Sequence, residues 1–142
     1  MSGLQVPHTR HVFLSIGSSV TIRGTTLLPF VKDPQLQVDF HTGTTEKSDI
    51  AFHFRVYFGH FVVMSSREDG SWKGQVWSSH MPFADGKAFV LRILVLHNEY
   101  QVVVNGQHYY SFAHRLQLGD VRMVQVWRDV SLTSVDYARR RR

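Results

Sequence analysis

The stretch SDIAFHFRVYFGHF, residues 48–61, alternates with period two. Phe52, Phe54, Val56 and Phe58 make an apolar row, and His53, Arg55 and Tyr57 make the row between them. A strand with one buried and one shown face requires this, because successive side chains leave a pleated backbone on opposite sides. The same pattern recurs elsewhere. Leu36, Val38 and Phe40 oppose Gln35, Gln37, Asp39 and His41, while Phe89, Leu91, Ile93 and Val95 oppose Val90, Arg92 and Leu94. Runs rich in Val, Ile, Phe and Tyr predict strands near 12–15, 19–23, 35–41, 49–58, 61–66, 73–78, 89–96, 100–105, 108–113, 121–127 and 130–137. Asn98-Glu99 and Asn105-Gly106 separate three of these runs. Asn-Gly is a strong hairpin signal because both residues tolerate positive φ. Only RLQLGDV, 115–121, has room for a brief helical turn. Many short strands without amphipathic helices predict an all-β antiparallel sandwich or barrel.

At 142 residues the chain has the size of one domain with a proper core, and 1–142 is read as a single unit. A content of 43% hydrophobic and 19% charged residues excludes a disordered chain. The apolar runs are too short for a membrane span. The N-terminus lacks a basic head followed by an apolar block, so the expected location is the cytoplasm, with the nucleus and leaderless secretion as compatible routes. Cysteine is absent, which rules out disulfides and thiol catalysis. The net charge of +5 is carried by the tail: without Arg139, Arg140, Arg141 and Arg142, twelve basic residues face eleven acidic ones. No specific nucleic-acid partner is therefore expected; the tail reads as a solvated end, with contact to phosphates or acidic surfaces as the alternative.

Enzyme signatures are missing. Gly17-Ser18-Ser19 is a turn and no nucleophile elbow, and no phosphate-binding glycine pattern occurs. His8 and His11 lack a downstream ligand pair, so no metal is expected. Glu68-Asp69 precedes Gly70 and reads as a turn, since adjacent carboxylates do not flank a scissile bond. No cofactor is expected either. A binding surface fits better. His53, Arg55 and Tyr57 offer planar donors and acceptors about 7 Å apart along one strand. Ser65, Trp72, Gln75 and Trp77 follow, and Trp72 stands directly after the turn REDGS, where an indole is less readily buried. An exposed indole beside a polar row suits a sugar, whose C–H face packs on the ring while its hydroxyls meet the polar groups.

These residues resemble the galectins, lectins of β-galactosides. The similarity runs through GSSVTIRG, LQVDF, SDIAFHF, VVMSS, DGSW, MPFADGKAF, YQVVVNG, FAHRL and VQVWRDVSL, and is strongest toward the branch of the Charcot-Leyden crystal protein and the placental galectins. It implies a jelly-roll sandwich of two antiparallel sheets. It also implies a sugar signature H-x-N-x-R, V-x-N and W-x-x-E-x-R. Against that signature His53, Val63 and Trp72 match, while Arg55 and Ser65 stand for the two Asn, Tyr57 and Trp77 for the two Arg, and Gln75 for the Glu. A charged Arg–Glu network that holds sugar hydroxyls is thereby replaced by neutral groups. A hydrogen bond to a charged group is worth about 1.5–3 kcal/mol, so the expectation is weakened or altered β-galactoside binding. The implied partners are glycans or glycoproteins. The alternative is a galectin-fold protein acting through self-association, with a partly vestigial groove. A homodimer is expected, with Asp33, in VKDPQ, and Trp127, in VQVWRDV, as interface residues; for Trp127 ordinary inter-sheet packing stands beside that reading.

Overall fold

The computed structural model describes residues 3–139, so Arg140, Arg141 and Arg142 of the basic tail lie outside the described residues. Twelve strands run in chain order as β1 (His8–His11), β2 (Ser19–Thr26), β3 (Gln35–His41), β4 (Ile50–Tyr57), β5 (Phe61–Glu68) and β6 (Ser71–Trp72), then β7 (Val76–Ser78), β8 (Phe89–Val95), β9 (Glu99–Val104), β10 (Gln107–Ala113), β11 (Met123–Arg128) and β12 (Val130–Ala138). All pairings are antiparallel. One sheet runs β1-β11-β3-β4-β5-β6, with β7 also on β5; the other runs β10-β9-β8-β2-β12. The result is an antiparallel sandwich, one of the two architectures that the alternation predicts, and it has the two-sheet jelly-roll form that the resemblance implies.

The core lies between the sheets. From β4, Phe52 and Phe54 point into it, and Phe52 stacks at 4.8 Å on Tyr100 of β9 while Phe54 meets Tyr110 of β10 at 5.5 Å. Phe40 closes the cluster against Tyr100 at 5.4 Å. These aromatic rows bury large areas and interlock the two sheets by edge and offset contacts. Asn105 and Gly106 have φ of 51° and 87°, as the β9–β10 hairpin demands. The short 3₁₀ turn at Leu118–Asp120 falls where a helical turn is expected.

Three segments differ from the sequence expectation. Residues 12–15 are not a strand: Val12 and Leu14 are buried, which explains the alternation, but the paired segment is His8–His11 on β11. HTRH carries no apolar signal, because its outward-facing edge position asks for none. Within 73–78 only Val76–Ser78 pairs, and the two-residue β6 precedes it. A second 3₁₀ turn, Phe30–Lys32, has no counterpart among the expected elements and ends on Asp33 in the left-handed region at φ 55°.

Candidate functional site

Register brings polar residues of five strands onto the outer face of the larger sheet. Gln125, Asp39, His53 and Ser65 stand in one cross-strand row, and Trp127, Gln37, Arg55, Val63 and Trp77 stand in the next. Gln35, Tyr57 and Phe61 form a third. A cleft of about 660 Å³ opens over these rows. Of the residues that the sequence singles out, His53, Arg55, Tyr57, Trp72, Gln75 and Trp127 line it.

The face is not the wet one that alternation alone suggests. His53, Gln37, Asp39 and Ser65 are all buried. The reason is a cover of side chains: the Trp72 indole lies 4.6 Å from the His53 ring, and Arg67 lies over that indole at 5.4 Å. Asp39 organises the floor. Its Oδ1 accepts from His53 Nδ1 at 2.7 Å, and its Oδ2 accepts from Gln37 Nε2 at 2.8 Å and Trp127 Nε1 at 3.1 Å. Burial alone would raise the Asp39 pKa; the hydrogen bonds and charge of His53, with the bonds from Trp127 and Gln37, outweigh it and hold the carboxyl below its ordinary value. With Nδ1 fixed on Asp39, Nε2 is the imidazole nitrogen left for a further hydrogen bond.

The guanidiniums are held by neutral acceptors. Arg55 donates through Nε and Nη2 to Gln35 Oε1, and its Cζ lies 5.0 Å over the Tyr57 ring. Arg128 donates through Nε to Gln37 Oε1 at 2.6 Å and lies 4.3 Å over the Trp127 ring. Sequence reasoning missed Arg128. Parity on β11 sends Gln125 and Trp127 to the cleft and Val124 and Val126 to the core, so residue 128 is expected inside. Its φ of 84° breaks that parity, and both Trp127 and Arg128 line the cleft. Gln37 and Asp39, read as a polar strand face, gave no sign of a site either.

The remaining candidates do not line the cleft. The Ser65 hydroxyl donates to the Lys73 carbonyl at 2.8 Å and ties down the β6 turn. Trp77 is exposed and packs at 4.7 Å on Phe61, which lies 4.7 Å from Tyr57. Asp33 is exposed, outside the cleft, and accepts from His60 Nε2 at 3.0 Å. Trp127 does not lie between the sheets, since its indole N–H belongs to the Asp39 network.

The profile of the family described as galactoside-binding lectin matches residues 6–137. Human Galectin-16 is 54% identical over 135 residues, which cover 95% of this chain and 95% of that protein. Human Galactoside-binding soluble lectin 13 is 54% identical over 135 residues, covering 95% and 97%. Among solved structures, human galectin-16 R55N superposes with a TM-score of 0.92 at 51% identity, covering 97% of this chain and 99% of that one. Sheep Galectin-11 in complex with glycerol superposes with a TM-score of 0.89 at 44% identity, covering 95% and 99%.

Proposed function

We propose, from the premise that this chain belongs to the galactoside-binding lectin family, the galectins, that it is a non-catalytic saccharide-binding protein with weakened or altered preference for β-galactosides. The observation that carries this reading is the pair His53 and Trp72, 4.6 Å apart at one cleft wall, with Asp39 holding the imidazole. In this reading the half-exposed Trp72 ring takes the C–H face of a pyranose, and His53 Nε2 meets a ring hydroxyl. Tyr57 and Gln75 replace the charged partners of the galectin signature, so hydroxyl recognition proceeds without their charge-assisted bonds. Glycans or glycoproteins are the partners of this function, and a cytoplasmic protein with leaderless export is its expected setting.

Galactoside titration followed by tryptophan emission tests the reading. The wild type is expected to respond, and Trp72→Ala to bind at least about tenfold more weakly, equivalent to about 1.4 kcal/mol. Identical flat responses from both proteins would sink it. A second reading, action through self-association as a homodimer, draws support from Leu27, Leu28 and Val31, each exposed and close to Asp33 in the chain. Size-exclusion chromatography with and without glycans separates the two: a dimer indifferent to glycans favours the second.

A further inference from the structure

We infer that Arg55 and Arg128 form a clamp for an anionic group, a carboxylate or a sulfate ester, carried on the saccharide in this cleft. The inference rests on the saccharide-binding reading above and adds the chemical class of the ligand. Its first support is charge. The cleft is lined by Lys47, Arg55, Arg67 and Arg128 against only Asp39 and Glu46. Asp39 is already committed to His53, Gln37 and Trp127. Among the described residues, the ion pairs are Arg23–Asp136, His53–Asp39 and His60–Asp33, so none of the four cleft cations has a carboxylate within 4.0 Å.

Geometry supplies the second support. Arg55 leans from β4 to Gln35 and Arg128 leans from the end of β11 to Gln37, so both converge over β3, which lies between their strands. Gln35 and Gln37 are two residues apart on one strand face, a span of roughly 7 Å. One carboxylate or sulfate bridges such a span with charge-assisted bonds of about 2.8 Å on either side. Each guanidinium is oriented by an amide oxygen and an aromatic face, and neither partner neutralises it. Arg128 reaches the cleft only through its φ of 84°, a conformation that a residue other than glycine holds at a cost and that is frequent at ligand sites. Burial first, and then the charge of Arg55, lowers the Arg128 pKa from its ordinary value, and the nearby charges of Asp39 and Asp129 oppose that shift without forming an ion pair with it. A bound anion relieves that repulsion.

The test compares lactose, an O-sulfated lactose, a sialylated lactose and inorganic sulfate on the full chain, by calorimetry at about 0.01 M and about 0.15 M salt. The anionic sugars are expected to bind at least about tenfold more tightly than lactose at low salt, and less so at high salt. Arg128→Asn, chosen because Asn tolerates positive φ, and Arg55→Gln should each bring the ratio of anionic to neutral affinity close to one. Circular dichroism checks folding, and Arg55→Gln carries the test if Arg128→Asn misfolds. The sulfated and sialylated arms separate the two anion sources. A wild-type ratio of one overturns the clamp and leaves the saccharide reading standing. If no sugar binds, sulfate decides: thermal protection abolished by Arg128→Asn keeps the clamp while the saccharide reading falls, and no protection overturns both.

Discussion

Tyr100 carries a phenol into the middle of the sandwich, and its hydroxyl, fully buried, finds no hydrogen-bond partner among the described residues. Burial pushes its pKa upward, as expected of a group that cannot carry charge there. The ring itself is well used, stacked on Phe52 and edge-on to Phe40 and His114. Tyr100→Phe therefore keeps the packing and removes an uncompensated desolvation cost, so stability should rise by about 1 kcal/mol. A urea midpoint below that of the wild type would show that the hydroxyl has an unrecognised partner. At this scale the site was only half legible in the sequence. His53 and Trp72 stand at spacings tied to a known signature, whereas Asp39 looked like one more polar residue on a strand. Its importance arises from three donors supplied by β3, β4 and β11, and no local pattern records that convergence. Arg128 was illegible for a different reason, because one backbone dihedral reversed the face that parity assigns it.

Strand pairing sets different demands on two glycines. Gly106 occupies the second position of the β9–β10 hairpin with φ of 87°, and a Cβ there would meet nothing within 4 Å. Gly24 on β2 has ordinary backbone, yet a Cβ there would run into the Ser131 carbonyl oxygen and lie 3.3 Å from Leu132 Cδ2 on β12. That close approach coincides with the register shift between Leu132 and Ser134, where β12 bulges against β2. Gly106→Ala should thus cost about 1–2 kcal/mol from backbone strain alone. Gly24→Ala should cost more, since a backbone oxygen must move and the bulged ladder with it. Guanidinium denaturation of the two variants ranks them, and the reverse order would show that the bulge yields easily. The hairpin was readable because Asn-Gly is a local code. The bulge and the edge strand His8–His11 were not, because both depend on a partner strand more than a hundred residues away in the chain.

The sandwich as a whole has an acid-sensitive side, and the reason lies beneath the cleft. The all-β architecture followed from period-two alternation on both sheets, but alternation assigned His41 to a wet face, whereas it is buried at the floor of the cleft. Burial lowers its pKa from the ordinary value of 6.5. A depressed folded-state value means that the native state favours the neutral imidazole. The stability this contributes is complete above pH 6.5 and is lost as pH falls through the lowered value. Asp39 acts in the same direction further down: its carboxyl sits below 3.8, so its contribution is complete above that pH and disappears beneath it. Acidification therefore weakens the molecule in two stages, the imidazole first. His41→Leu removes the first stage and fills the site with an apolar group of similar size. Thermal midpoints recorded from about pH 8 to about pH 4 should fall below pH 6.5 for the wild type and stay nearly level for His41→Leu until carboxyl groups begin to titrate. Parallel curves would assign the loss to another titrating group, with His8, whose pKa is lowered by burial and then by the charge of Arg10, next to be substituted.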